Sequence, residues 1–361
     1  MSPHIHTDPK SRFGDHDKQR LILRAAQASI GQPTPMPVLA RGKTIGWVQG
    51  QRHSRRTRIL ECGFPTVNDI YKEMTQNNKA RAIMWHKCIA NGSLLTPRWH
   101  HLWPVVGFPG PGLLTGTAKT FVPHSDSDFG AMFHGGNVSS DTKHLVSAHL
   151  RLTALSPSTA EQACFMLYDL VGSYDQCDFV NSSQTLTTGT TPDTDYPGRY
   201  VSSGEDGLQI YPVTTGTNGN TGWTNVIYTD NAGNTAQSAV TAGLQSVFTP
   251  GTPTARDQWV SAIEYNGSLS ALEIPLLAGD SGVRKLESYQ MGSTTAGAFS
   301  LLLGKPIAWM PTQGGDWTSV WDYVRQIPSL PQIKDKACLV FAVQSISLGG
   351  TFTGGLQVAW G

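Results

Sequence analysis

From Lys143 onward, short apolar runs are separated by clusters of Gly, Pro, Asn, Asp, Ser and Thr. Residues 144–155 alternate apolar and polar side chains, the period of a strand with one buried face. Residues 223–229 and 235–240 flank Asp-Asn-Ala-Gly-Asn, which predicts a hairpin. Further strand-like runs lie at 161–171, 207–214, 283–291, 298–303, 337–346 and 351–360. About ten strands without alternating helices predict a mainly β fold, an antiparallel β-sandwich or jelly-roll-like domain.

The rest of the chain predicts a different organisation. Residues 1–60 read as an extended basic N-terminal arm with a short helix at 15–30, followed by alternate prolines at 33, 35 and 37 that exclude helix. Residues 61–142 read as a helix and loop-rich connecting region. Its helix begins near Phe64, and Ile83, Met84 and Cys88 continue the apolar stripe. A further short helix is predicted at 317–324, and residues 143–361 form the β domain.

Charge divides the chain unevenly. Residues 1–110 carry 16 Lys and Arg against 6 Asp and Glu, a net of +10, and residues 111–361 carry 11 against 20, a net of −9. The candidate partner-contact cations of the arm are Arg41, Lys43, Arg52, Arg55, Arg56 and Arg58. Three uses are open: contact with an acidic protein surface, non-specific contact with nucleic acid, or a solvated charged run. Trp47 is the one aromatic residue among them, so a stacking groove for single-stranded nucleic acid is not indicated.

The aromatic and sulfur residues give no cofactor site. Trp99 and Trp103 flank His100 and His101, and we expect the two indoles to pack at an interface with a partner. Adjacent histidines rarely reach one metal ion, and no further ligand follows at a suitable spacing. The five cysteines form no Cys-x-x-Cys pair, so neither a zinc site nor a disulfide framework is expected. The polar start and the lack of a long apolar run predict no signal peptide and no membrane span.

The tempting enzyme motif is Gly279-Asp280-Ser281-Gly282, which matches the nucleophile motif of chymotrypsin-like serine proteases. His149, followed by Asp193 or Asp195, precedes Ser281 in the matching chain order. However, Val283 stands where that family has a glycine, and a β-branched residue fits the sharp oxyanion-hole backbone poorly. The structural interpretation is a turn between residues 272–277 and 283–291, because Gly, Asp and Ser are residues that turns prefer. We therefore expect no catalytic residue and no enzyme.

Several strings of the β region carry a resemblance to a known group. They are Leu-Gln-Ile-Tyr-Pro-Val at 208–213, Val-Ile-Tyr-Thr-Asp-Asn-Ala-Gly at 226–233, Ile-Pro-Leu-Leu-Ala-Gly-Asp-Ser-Gly-Val-Arg at 274–284, Pro-Ser-Leu-Pro-Gln-Ile-Lys-Asp-Lys-Ala at 328–337 and Leu-Gln-Val-Ala-Trp-Gly at 356–361. Together they resemble β-rich virion structural proteins of tailed bacteriophages, over roughly residues 145–361.

The resemblance implies a mechanical function. It implies a capsid-associated decoration or cement protein of the virion, made in the host cytoplasm, that stabilises neighbouring shell subunits. Its implied partners are other virion proteins, above all the major capsid protein, and further copies of itself. A tail, fibre or receptor-binding component is the alternative, and a serine hydrolase at Ser281 is a remote one. In each case we expect no membrane contact.

Overall fold

The computed structural model describes Met74 and residues 76–89, 98–112, 119–120, 130–138, 140–154, 163–178, 183–186, 200, 207–214, 221–242, 244–246, 259–261, 263–265, 269–292, 298–312, 318–326, 330–345 and 350–361. All of them belong to the unit Arg56–Gly361. The predicted arm, its short helix and its basic residues lie outside the described residues.

The described part of the chain is built almost entirely of strands. In the first half these are β1 (Ala80–Ile89), β2 (Trp99–His101), β3 (Gly107–Phe108), β4 (Lys119–Thr120), β5 (Lys143–Ala154), β6 (Ala163–Asp178), β7 (Gln184–Thr185), β8 (Gln209–Thr214), β9 (Thr221–Asp230) and β10 (Gln237–Ser238). They continue as β11 (Leu244–Ser246), β12 (Trp259–Ser261), β13 (Ile263–Tyr265), β14 (Leu269–Ala271), β15 (Val283–Met291), β16 (Ala298–Pro311), β17 (Ser319–Asp322), β18 (Leu339–Ser345) and β19 (Gly350–Trp360). One helical turn, α1 (Tyr323–Gln326), follows β17.

A five-stranded sheet joins the two ends of the described chain. Its order is β17-β5-β19-β1-β3, and every pairing is antiparallel. Strand β1 pairs with the last strand along its whole length, from Ala80 opposite Ala359 to Ile89 opposite Gly350. The five-stranded sheet is therefore assembled from strands that lie far apart in the sequence.

A second group of strands forms a ring. The strand order is β16-β8-β12-β2-β18-β6, and pairing between β16 and β6 closes it. Strand β4 pairs with the part of β6 that extends beyond β18. The remaining sheet has the order β14-β13-β11-β9-β15-β7, with β10 also paired to β9. The prediction of a mainly β, antiparallel, sandwich-like fold is confirmed.

Three apolar cores hold these layers together. The first lies between the five-stranded sheet and the ring, with Trp85, Phe165, Phe341 and Phe352 in edge or tilted contact. The second joins the ring to the sheet of β9 and β15. The third fills the ring. Alternate residues of β6 divide between the cores, because successive side chains of a strand point to opposite faces.

Two local predictions are corrected by the structure. Residues 83–88 lie in strand β1 and do not continue a helix, because Ile83, Trp85 and Ile89 are buried on one face at a period of two. At 317–324 the chain first forms β17, and the helical turn begins only where the Asp322 carboxylate accepts the Val324 and Arg325 N–H groups.

The described part of the predicted connecting region 61–142 contributes strands to the β-sheets. Strands β1 and β2 share sheets with strands beyond residue 143, while the domain boundaries themselves stay a prediction. Among the described residues, no helix has the length and apolar character that a membrane span requires.

Candidate interaction surface

The five-stranded sheet has one face on the first core and one face turned away from it. On the second face, register places Val320, His149, Gly355 and Met84 side by side across four strands. Directly paired residues point to the same side of an antiparallel sheet. Val320 is 61% exposed and Met84 is 59% exposed. The row therefore ends in an exposed apolar side chain on both sides.

The neighbouring row continues the same face. Arg151 lies opposite Thr353, Thr353 opposite His86, and His86 opposite Phe108 of β3. Phe108 is 60% exposed. Large apolar side chains from β1, β3 and β17 thus lie on a single surface, separated by small polar residues and two histidines.

Gly355 shapes the centre of this surface. A Cβ built on it would lie 2.2 Å from Cε1 of His149 and 2.9 Å from Sδ of Met84. The imidazole and the thioether therefore lie directly over the glycine backbone. The absence of a side chain at residue 355 lets both groups lie against the sheet instead of standing away from it.

We call this surface the exposed sheet face. Its members are Ala82, Met84, His86, Cys88, Phe108, Ser147, His149, Arg151, Thr153, Val320, Asp322, Thr351, Thr353, Gly355 and Gln357. The set contains no Lys or Glu, one Arg and one Asp. Depletion of charge around exposed Met, Phe and Val is typical of protein–protein interfaces. A face of this composition is suited to burial against another protein.

A buried lysine fixes the edge of the face. The Lys87 ammonium donates to the carbonyl oxygens of Val105 at 2.9 Å, Pro109 at 2.7 Å and Gly110 at 3.2 Å. Burial lowers the pKa of Lys87 to about 8. These three hydrogen bonds hold the loop that carries Phe108. The inward-pointing Lys87 therefore positions the exposed Phe108 ring, which lies on the other face of the sheet.

The Gly279-Asp280-Ser281-Gly282 motif forms a turn before β15, and the segment 272–277 before it is not a strand. The Tyr228 hydroxyl donates to the Asp280 carboxylate and accepts the Leu277 N–H at 2.9 Å. Burial and the hydrogen bond to Asp280 raise the pKa of Tyr228 well above its ordinary value. The carboxylate of the motif therefore anchors the turn to β9.

Gly282 is packed against another backbone. A Cβ on Gly282 would lie 2.2 Å from the Cα of Gly207. The Gly207 N–H donates to the Ser281 carbonyl at 3.2 Å, and the Asn231 N–H donates to the Gly282 carbonyl at 2.9 Å. The motif is thus a point where three chain segments meet through their main chains.

The structure assigns the residues of the protease alternative to separate places. Ser281 precedes β15 in one sheet, and His149 lies on β5 in another, on the exposed sheet face. Asp193 and Asp195 lie outside the described residues. Among the described residues, no side-chain hydrogen bond joins Ser281 to His149. A catalytic role of Ser281 stays an alternative that requires an activity measurement.

Trp99 and Trp103 are core residues, which corrects their prediction as partner contacts. Trp99 is 7% exposed and Trp103 1% exposed, and both belong to the core inside the ring. Between them, His101 is fully buried and its Nδ1 lies 2.6 Å from the Tyr168 hydroxyl. Burial, with a smaller contribution from His100, lowers the pKa of His101 to about 3. In the described parts, no cluster of three or more His, Cys, Asp or Glu could hold a metal ion.

The other predicted contact residues are Arg41, Lys43, Arg52, Arg55, Arg56 and Arg58, and all six lie outside the described residues. Met84, Phe108 and Val320 were not predicted as surface residues from the sequence. The local signal for Met84 is weak, because the buried positions Ile83, Trp85 and Ile89 follow a period of two that Lys87 interrupts. No local signal marks Phe108, since β3 is only two residues long and depends on its pairing with β1.

Comparison with known proteins gives little. No protein-family model matches the chain, and no curated protein matches it. The crystal structure of the infectious bursal disease virus VP2 subviral particle is 10% identical, over 78% of this chain and 80% of that chain, with a TM-score of 0.18. The structure of the infectious bursal disease virus Gt strain is 9% identical over the same shares, with a TM-score of 0.17. TM-scores of this size are not evidence of a common fold.

Proposed function

We propose that this chain is a virion structural protein of a tailed bacteriophage, a capsid-associated decoration or cement protein that binds and stabilises neighbouring shell subunits. The observation that carries the proposal is the exposed sheet face, where Met84, Phe108 and Val320 expose apolar surface on a face that carries no Lys or Glu. The resemblance of residues 145–361 to virion structural proteins supports it. The partners are other virion proteins, mainly the major capsid protein, and copies of the same chain.

The sheet suits a contact that transmits mechanical force. Strand β19 pairs over its whole length with β1 on one side and with β5 on the other, so the face is carried by continuous main-chain hydrogen bonding. Beneath it, the first core buries aromatic rings from both the sheet and the ring. Force applied at the face is therefore transmitted to the packed interior rather than to a loop.

The basic arm adds a second contact in this proposal. Residues 41–58 would lie along an acidic surface of a neighbouring subunit, where backbone groups and cations find partners on assembly. Contact with packaged nucleic acid remains the other use of the same charges. Neither use involves a cofactor, a membrane or a catalytic step.

The experiment is a binding assay with shells that lack the chain. Purified full-length protein is added to such shells, which are then sedimented, and bound protein is measured against concentration. In the variant Met84→Glu with Val320→Glu, two carboxylates enter the exposed sheet face. We expect at least a tenfold weaker affinity, because burying each apolar side chain contributes about 1.5–3 kcal/mol.

Val240→Glu is the matched control, because Val240 is 41% exposed but lies outside the exposed sheet face. Its binding should equal that of the unmodified protein. Unchanged binding of the double variant would contradict the use of this face. Binding to isolated tails and not to shells would favour the tail or receptor-binding alternative.

A further inference from the structure

Lys143 begins β5 and is enclosed by two loop segments. Its carbonyl accepts the Ile333 N–H at 2.9 Å, and the N–H of the next-but-one residue, Leu145, donates to the Pro331 carbonyl at 2.9 Å. The Lys143 side chain is fully buried. Its amine therefore lies in a fixed pocket between residues 134–138 and residues 330–338.

Three acceptors surround the Lys143 amine. Nζ donates to Nδ1 of His134 at 3.1 Å, to the Gly136 carbonyl, and to Oδ1 of Asp335 at 3.2 Å. The same Asp335 oxygen accepts the Val138 N–H at 3.2 Å. An amine, an imidazole and a carboxyl group held by a main-chain donor thus converge in one place.

The hydrogen bond of His134 Nε2 determines whether Nδ1 donates or accepts. Nε2 lies 2.9 Å from the Ala337 carbonyl, which can only accept a hydrogen bond, so Nε2 carries the proton of the neutral ring. Nδ1 is then an acceptor that faces the Lys143 amine. His134 is fully buried, so no solvent competes for this nitrogen. The imidazole is placed to take a proton from Nζ.

We propose that Lys143 and Asp335 join in an intramolecular amide bond, formed by attack of Nζ on Cγ of Asp335 with loss of one water. His134 Nδ1 takes a proton from the Lys143 ammonium, and rotation about Cε–Nζ turns the freed lone pair toward Cγ. The N–C bond forms, and the Val138 N–H stabilises the negative charge on Oδ1. Oδ2 leaves with the two protons lost by the ammonium, one of them delivered by His134. The remaining proton stays on the amide nitrogen.

Two physical terms favour the step. Burial lowers the pKa of Lys143, while its contacts with Asp335 raise it again, and the net direction is downward. Fixing an amine beside a carboxyl group also raises the effective concentration to about 10⁵ M or more in favourable geometries. The bond would tie the start of β5 to the segment before β18. This inference is independent of the proposed virion function.

The chain contains a matched control pair. Lys79 and Asp141 form an ion pair at 2.9 Å, but their side chains are 36% and 21% exposed. The Lys79 side chain is therefore open to solvent, whereas the Lys143 side chain is fully buried. An ion pair alone should not condense, so the Lys79 and Asp141 peptides should be recovered separately.

The test is mass spectrometry of the denatured full-length protein and of its protease digest. We expect an intact mass lower than the sequence mass by one water, and a branched peptide that joins residues 143 and 335. The branched peptide is the decisive observation, because formation of a succinimide would lower the intact mass by one water without joining the two residues. Lys143→Arg should restore the sequence mass, Asp335→Asn should lose ammonia instead of water, and Lys79→Arg should keep the loss of water.

His134→Gln tests the proton transfer: in newly synthesised protein, sampled over time after synthesis, we expect the branched peptide to appear at least tenfold more slowly than in the unmodified sequence. An equal rate would overturn the role assigned to His134. Separate peptides for residues 143 and 335, with the sequence mass retained after prolonged incubation of the unmodified protein, would overturn the bond and leave an ion pair only.

Discussion

Substitution of Gly282 by alanine tests the structural role of the turn that resembles a nucleophile motif. The added Cβ would lie 2.2 Å from Cα, 2.3 Å from C and 2.6 Å from N of Gly207. All three are backbone atoms, so no side-chain rotation relieves the overlap. The two main chains must separate by more than about 1 Å before the added Cβ reaches ordinary van der Waals contact, an overpacking that typically costs about 1–3 kcal/mol.

The separation also affects hydrogen bonds. The Gly207 N–H to Ser281 carbonyl bond crosses the contact, and the Asn231 N–H to Gly282 carbonyl bond holds Gly282 to a third chain segment, so moving Gly282 disturbs both. Each bond contributes about 1 kcal/mol net, and more when a buried partner is left unsatisfied. Together with the overlap, Gly282→Ala should lower the free energy of unfolding by about 3–5 kcal/mol.

Two substitutions in the same turn give a graded comparison. Gly279 has φ of +103° but open space around its Cβ position, so Gly279→Ala should cost about 1–3 kcal/mol of backbone strain. Ser281 is exposed, so Ser281→Ala should change stability by less than about 0.5 kcal/mol. Equilibrium urea unfolding of the full-length protein, followed by tryptophan fluorescence, measures all three.

A smaller loss of stability for Gly282→Ala than for Gly279→Ala would refute the close backbone packing of Gly282 against Gly207. A large loss of stability in Ser281→Ala would equally contradict the exposed position of Ser281 in the turn. Retention of full stability in Ser281→Ala, together with loss of a measured hydrolytic activity, would establish the serine as a nucleophile and reverse the functional conclusion.

Three further measurements test other parts of the structure. The pKa of Lys87 is about 8 in the folded protein and 10.5 in the unfolded chain. Between these pH values the unfolded chain binds more protons, so the free energy of unfolding should rise with pH, by about 3 kcal/mol at most. Lys87→Met should flatten that rise, and an unchanged pH profile would show that the amine is not desolvated. Tyr228→Phe removes the hydroxyl that joins Leu277 to Asp280 and should lower the free energy of unfolding, measured in urea, by about 1–3 kcal/mol. An unchanged free energy of unfolding would show that this hydroxyl does not stabilise the turn. Deletion of residues 1–58 should reduce incorporation into particles while cooperative unfolding persists, and loss of cooperativity would place the arm in the core.

The β region was predictable because its strands obey a local rule. Strand β5 was expected at 144–155 and is found at Lys143–Ala154, since Val146, Ala148, Leu150 and Leu152 are all buried on one face. The hairpin at 223–240 was expected from its turn residues and is found as β9 paired with β10. In both cases the local sequence, an apolar and polar alternation or a set of turn residues, is sufficient to predict the strands.

Strand β1 was not predictable in the same way. Its inward positions include Lys87, a residue that rarely lies in a core. The lysine is accommodated only because carbonyl groups about 20 residues further along the chain surround its amine. A helical stripe through Ile83 and Cys88 fits the local sequence equally well, and only pairing with the C-terminal strand decides between them.

The candidate surface depends on such long-range pairing throughout. Met84, His149 and Val320 become neighbours through the order of four strands, which no local pattern specifies. The same holds for the buried indoles at residues 99 and 103. A cluster of aromatic residues with few charges is typical of both an interface and a core, and the closure of the ring around them makes them a core.

Electron cryo-microscopy of phage particles assembled with this chain present tests the proposed virion function most directly. We expect density for the β domain on the capsid shell, in a fixed number of copies for each capsomer, with Met84, Phe108 and Val320 buried against a neighbouring subunit. Density for the chain only in the tail, or a shell-bound chain whose exposed sheet face points to solvent, would contradict it.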